Sequence, residues 1–409
     1  MVRRLVYVLA IICAVLLAVI TFRQTTAAPS KAPGGGIDWT NVSSRDLNIA
    51  SVFLTARDVG VRKALDSLEA LSLHDPQISG QGHALAHALG RYAIAENKND
   101  LSVIAQCREI FEAGCYHGVL EGYLATRKSV DRSTVASICS AVEKANASRQ
   151  PALECSHGLG HGLLARLGYD LGGALTACDY LPAKDAQGEC HDGVFMENVV
   201  HGMGDAMINV GDDALSAHSH MMQMEGSHAR HDYFRKQDLA FPCDSVAQQY
   251  ESSCWSYQPL VVIRLTGVDF NKTLHECDTA PADGAITCYR GFGKQSTAWY
   301  SDRAADIVKT CEGATSPHAG DCLAGAVEAY VDFDWTPDKA IAFCHNVPAD
   351  AKAGCYGEMG ARMGLIRVDN TSLAADCRRA EPQYIAACMR EGAASQMRSP
   401  ESGLSARAP

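Results

Sequence analysis

Sixteen cysteines set the first limit on this fold. They fall into eight successive pairs: Cys107/Cys115, Cys139/Cys155, Cys178/Cys190, Cys243/Cys254, Cys277/Cys288, Cys311/Cys322, Cys344/Cys355 and Cys377/Cys388. The last five pairs share the spacing C-x10-C, and their starts recur every 33 or 34 residues. A period of that size marks stacked helical hairpins. The segments ahead of the pairs agree. "DWTPDKAIAFC" offers Thr336 as an N-cap, Pro337 at the first helical position and Asp338 in the first turn. "YSDRAADIVKTC" and "DNTSLAADC" follow the same plan. A short helix A is therefore expected to end at the first cysteine of each pair. A longer helix B opens at the second, as in "CYGEMGARMGLI", and a disulfide joins the two. In the chain-entropy picture such a staple is worth about 3 kcal/mol. Zinc is the alternative for paired cysteines, but its short C-x-x-C-like spacings are absent, and so is the C-x-x-C-H of covalent haem. Pairing between neighbouring repeats stays open on sequence alone.

A cysteine-free hairpin precedes the first pair, with helix A over Ala56–Ser72 and helix B over Gly80–Ala95. The expected fold class is all-α: a right-handed α-solenoid of about nine hairpins. One irregularity interrupts it. Successive pairs are separated by 22 to 24 positions, but Cys190 and Cys243 by 53. An insert is expected there, at 207–235.

The seventeenth cysteine, Cys13, lies in the apolar run Leu5–Phe22, which follows "MVRR". The run is long for a signal peptide and about long enough to span a bilayer, with its arginines on the inner side. It reads as an uncleaved signal anchor; a signal cut near "TTAA" is the alternative. The expected organisation is a cytoplasmic tail (1–4), a transmembrane helix (5–22), a linker (23–50), N-terminal repeats carrying a site (51–206), the insert (207–235), C-terminal stapled repeats (236–395) and a disordered tail (396–409). The main body is then extracytoplasmic, where disulfides persist. A net charge of −11 argues against a nucleic-acid partner. Partners left are the membrane and a protein or peptide on the repeat surface.

Aligning the hairpins on their second cysteine exposes two columns. Two residues on stand His117, His157 and Asp192; six residues on stand Glu121, His161 and Met196. The cysteine-free hairpin adds His83 and His87. Positions four apart share one side of a helix, and equivalent positions of stacked hairpins are neighbours. A line of His83, His87, His117, Glu121, His157, His161 and Asp192 results, with Glu197 and His201 a turn further. Imidazole and carboxylate are ligands for Fe, Cu or Zn. His83, His87, His117 and Glu121 form one expected ligand set; His157, His161 and Asp192 form a second, of the two-His-one-carboxylate kind. In later hairpins the columns hold Ser256/Leu260, Arg290/Lys294, Ala324/Glu328, Gly357/Ala361 and Arg390/Ala394, with no histidine. The glycines of "CSHGLGHG" let such helices approach closely. The insert, "HSHMMQMEGSHARH", adds His218, His220, His228 and His231 as accessory or lid residues.

In general plan the chain is similar to deoxyhypusine hydroxylase, a helical-repeat enzyme whose di-iron ligands come from equivalent helices. That family uses adjacent His-Glu pairs, which the two aligned columns lack, so the resemblance carries over no residue and no substrate. The expected function is that of a membrane-anchored, metal-dependent enzyme of oxidative or hydrolytic type. A non-enzymatic interaction scaffold and a metal-sequestering or delivery protein are the alternatives.

Overall fold

The computed structural model describes residues 44–398, apart from 146–147, 149, 204–233, 268 and 301–302. The apolar run at 5–22 and the insert histidines His218, His220, His228 and His231 lie outside the described residues. Among those described, no helix is long and apolar enough to cross a membrane.

Eighteen α-helices and no strand occur in the described residues. They are α1 Ser44–Asp58, α2 Val61–Ser72, α3 Pro76–Glu96, α4 Gly114–Ala125, α5 Arg132–Ser137, α6 Ser140–Ala145, α7 Gln150–Arg166, α8 Leu171–Cys178 and α9 Lys184–Met203. The second half holds α10 Gln248–Thr266, α11 Phe270–Glu276, α12 Ala282–Trp299, α13 Ala304–Cys311, α14 Ala319–Asp332, α15 Asp338–Asn346, α16 Lys352–Ile366, α17 Asn370–Cys377 and α18 Ile385–Arg398. Nine of the eighteen, α3, α4, α7, α9, α10, α12, α14, α16 and α18, are the B helices. Each packs against the next.

Aspartate starts many of these elements. Asp75, Asp131, Asp170, Asp269 and Asp369 each accept a hydrogen bond from a backbone N–H in the first turn that follows, at 2.8–3.3 Å. Each such cap is worth about 1 kcal/mol. Cysteine then closes the hairpin. The bonds are Cys107–Cys115, Cys139–Cys155, Cys178–Cys190 and Cys243–Cys254 in the first half of the stack. Cys277–Cys288, Cys311–Cys322, Cys344–Cys355 and Cys377–Cys388 continue the series. All eight lie within single hairpins, with Cα–Cα distances of 5.4–5.8 Å, so pairing between neighbouring repeats does not occur. Every one of the sixteen sulfurs belongs to a buried residue, and the bridges run through the core along the seam between the A and B layers. Eight disulfides point to an oxidising, extracytoplasmic compartment.

Three boundaries differ from expectation. The second cysteine of a pair does not open helix B; the helix begins before it. Helix α9 starts at Lys184, ahead of Cys190, and α10 at Gln248, ahead of Cys254. Likewise α12 starts at Ala282, ahead of Cys288, α14 at Ala319, ahead of Cys322, and α18 at Ile385, ahead of Cys388. The disulfide therefore clamps the first or second turn of an existing helix, where the side chain already faces helix A. The Ala56–Ser72 helix is broken at Gly60, whose φ of 115° no α-helix accommodates. Helix α1 begins at Ser44, inside the segment read as linker.

Candidate metal centre

Close backbone contact between B helices brings the two columns together. A Cβ on Gly118 would lie 1.9 Å from the carbonyl oxygen of His87, and one on Gly158 would lie 2.8 Å from Cα of His117. No other residue permits those approaches. They set α3 against α4 and α4 against α7, so their imidazoles meet. The same contact recurs where there is no histidine: a Cβ on Gly291 would lie 1.9 Å from the Ser256 oxygen. Glycine is thus a property of the whole stack, and the histidines exploit it.

Five rings form one cluster. His83 and His87 have centroids 4.6 Å apart, and His87 and His117 5.1 Å. His117, His157 and His161 are mutually 5.1 Å apart. His87, His117 and His161 are almost wholly buried. Burial pushes the His87 imidazole down to about 3, and pushes His117 and His157 well below their ordinary value, aided by the neighbouring rings. These three rings are neutral.

Partners on the outside of the cluster fix the tautomers. His83 Nδ1 lies 2.8 Å from the carbonyl oxygen of Phe111, so that nitrogen carries the proton. His87 Nδ1 lies 2.8 Å from Glu121 Oε1. Burial alone would raise the Glu121 carboxyl, but His87 and Arg91 hold it well below the ordinary range. Glu121 is therefore ionised and His87 Nδ1 donates. His87 Nε2 then presents a lone pair, 3.0 Å from His83 Nε2. His117 Nδ1 joins them, 3.2 Å from His87 Nε2. Two nitrogens bound to one tetrahedral ion stand about 3.3 Å apart. Three imidazoles thus converge, two of them held from behind by a carbonyl and a carboxylate, as ligands of bound metals usually are.

The carbonyl behind His83 comes from an unusual turn. Phe111, Glu112 and Ala113 all have positive φ, at 55°, 50° and 56°. Side-chain-bearing residues pay roughly 1–2 kcal/mol each for that conformation, and the run ends where α4 begins.

A second group gathers Glu121, His161 and Glu197, whose ligand atoms lie within 4.8 Å of one another. His161 Nδ1 is 2.9 Å from Glu197 Oε2, and the Tyr169 hydroxyl donates to Glu197 Oε1 at 3.1 Å. Among the described residues, His161 Nε2 and His117 Nε2 are buried without a hydrogen-bond partner.

The expected ligand sets are rearranged. Glu121 does not join His83, His87 and His117 as a fourth inward donor; it stands behind His87 and against Arg91. Asp192 does not close on His157 and His161; Glu197 takes that place beside His161, because α9 presents it one residue beyond the aligned column. Asp192 instead bonds Ser253 and lines the cavity. His201 lies on α9.

The cluster forms one wall of a cavity of about 430 Å³. His83, His117 and His157 line it, with Glu154, Glu189 and Asp192 beside them. The opposite wall holds Arg290, Lys294, Glu328, Asp332 and Arg362. There Arg290 pairs with Glu328 and with Glu358, the latter at 2.5 Å, while Arg362 and Lys294 pair with Asp332 at 2.5 and 3.6 Å. Burial pushes the Glu154 carboxyl up to about 7; burial, then Asp192 and Glu154, push Glu189 up to about 8. Glu154, Glu189 and the charged far wall escaped the sequence reading. A signal existed for the first two: each immediately precedes a second cysteine and stands three residues before His157 or Asp192, on the same helical side.

No protein family matches the chain, and comparison with curated proteins and with solved structures finds no match either.

Proposed function

We propose that the chain is a membrane-anchored, extracytoplasmic enzyme whose metal ion is held by His83, His87 and His117. The observation that carries this reading is the convergence of three ring nitrogens: His83 Nε2 and His87 Nε2 lie 3.0 Å apart, and His117 Nδ1 lies 3.2 Å from His87 Nε2. A cation among them would be held by all three rings. Neutral imidazoles suit Zn²⁺, Cu²⁺ and Fe²⁺. His83 and His117 also line the cavity, so the ion is within reach of a substrate there. A three-imidazole ion with an open position supplies a Lewis acid and activates water at neutral pH. We therefore favour hydrolytic chemistry over oxidative. The chain's own residues supply the rest: Glu121 and the Phe111 carbonyl orient the rings, and the charged walls select a polar substrate. The apolar run at 5–22 holds this body at the outer face of the membrane.

Elemental analysis of the purified full-length protein tests the reading. The wild type is expected to carry a transition metal that His87→Ala loses, with hydrolysis of an ester, amide or phosphoester panel lost alongside and the helical circular dichroism kept. Metal-free wild type, or equal metal in the variant, overturns it and leaves an interaction scaffold.

A further inference from the structure

We propose that a second divalent cation ties α4, α7 and α9 together, held by Glu121, His161 and Glu197. None of the three is among the described residues that line the cavity, so the ion's role is structural. The proposal goes beyond the three-imidazole reading and shares no ligand with it, although Glu121 also stands behind His87.

Each ligand comes from a different B helix: Glu121 from α4, His161 from α7 and Glu197 from α9. Their ligand atoms all lie within 4.8 Å of one another. Donors bonded to one zinc-like ion stand no more than about 4.3 Å apart, so the group closes round an ion with a movement of about half an ångström at most. His161 Nδ1 and Glu197 Oε2 are already at bonding spacing, 2.9 Å apart. His161 has no exposure, yet its Nε2 has no hydrogen-bond partner among the described residues. A fully buried imidazole with one nitrogen bonded and the other bare points to a missing partner. Both carboxylates are fixed from behind, as metal-binding carboxylates usually are. The Tyr169 hydroxyl donates to Glu197 Oε1 at 3.1 Å, which leaves Oε2 turned to His161. Tyr169 reaches it from a left-handed conformation, φ 64°, that a bulky side chain rarely adopts. Arg91 holds Glu121 in the same way.

The ligand chemistry differs from that of the first group. Two carboxylates balance the charge of a divalent ion, which three neutral imidazoles do not, and with one imidazole they make a harder donor set. The proton held between His161 Nδ1 and Glu197 Oε2 leaves for solvent as the ion enters. The eight disulfides each close a single hairpin. An ion here instead cross-links three hairpins in succession, where the stack carries its histidine cluster.

Zn²⁺ serves as the probe. Chelator-stripped full-length protein is dialysed to equilibrium against Zn²⁺ and bound metal is counted per chain. The wild type is expected to hold two ions. The double variant His161→Gln/Glu197→Gln is expected to hold one. His83→Ala/His87→Ala is also expected to hold one, and to keep a Zn²⁺-dependent rise in melting temperature, as a structural ion requires. Circular dichroism and the absence of reactive thiols confirm that each variant folds; if the double glutamine variant does not, Glu197→Gln alone takes its place. A single ion in the wild type that survives in the glutamine variant overturns this site and leaves the three-imidazole reading. A single ion lost from the glutamine variant but kept in the histidine variant upholds this site and removes the three-imidazole reading. One ion lost from both variants places all the ligands round a single ion and overturns the proposal, as does a wild type that binds none.

Discussion

At the scale of single residues, the site is governed by what stands behind each imidazole. Phe111 offers His83 a main-chain carbonyl, and the left-handed turn through Phe111, Glu112 and Ala113 aims it. Glu112 is exposed in that turn. Glu112→Gly is expected to raise stability by up to about 1 kcal/mol, because relief of the left-handed strain exceeds the entropy that glycine adds to the unfolded chain. A denaturant midpoint that moves down by as much would show that Glu112 makes a contact outweighing the strain. None of this was legible in the sequence. A backbone carbonyl leaves no mark in residue type, and three side-chain-bearing residues in a glycine-like conformation carry no composition signal.

Among elements, the decisive contact is helix on helix through glycine. Gly118→Ala places a methyl against the His87 carbonyl and must push α3 from α4. We expect a loss of at least ~2 kcal/mol, typical of a core overpacked against backbone, together with weaker metal binding. Gly291→Ala makes the same clash between α10 and α12 and is expected to cost similar stability while leaving metal affinity within a few-fold. Thermal melts and Zn²⁺ titration of the two variants separate packing from ligation; equal loss of metal in both would detach the glycines from the site. The disulfides act at the same scale. Replacing Cys344 and Cys355 by Ala is expected to cost about 2–4 kcal/mol and to loosen α15 and α16 first, since repeats depend chiefly on their neighbours. Hydrogen exchange would locate that loosening. Here the sequence was informative. Cysteine spacing gave the hairpins and their staples, because a covalent constraint fixes its own register. It placed the starts of the B helices late, at Cys288, Cys322 and Cys388 among others, because a helix begins where its first N–H groups find acceptors and not where a bridge attaches.

For the whole molecule, the columns of hairpin positions matter more than any one hairpin. His83, His117 and His157 occupy the first column, and Arg290 occupies the same column several hairpins later; Lys294 and Glu328 occupy the second. From sequence, the later positions read as a control without chemistry. The structure turns them to face the histidines across a shared cavity, which no alignment of repeats could anticipate, since curvature accumulates from small rotations between hairpins. Metal binding should therefore be felt globally. With metal at 100 times its dissociation constant, the folded state gains about 2.7 kcal/mol, and the melting temperature should rise accordingly; an unchanged melt would mean that the ligands are not assembled in the folded chain.

The two walls of that cavity are made at different times. A chain that emerges from its N-terminus completes α3, α4 and α7 well before α12, α14 and α16 exist. On the proposed reading, the histidine face can load while the far face is still being synthesised, so a polypeptide halted midway would hold metal without its completed cavity. The proposed reactivity would then be withheld until the last repeats arrive, a safeguard built from nothing more than the order of residues.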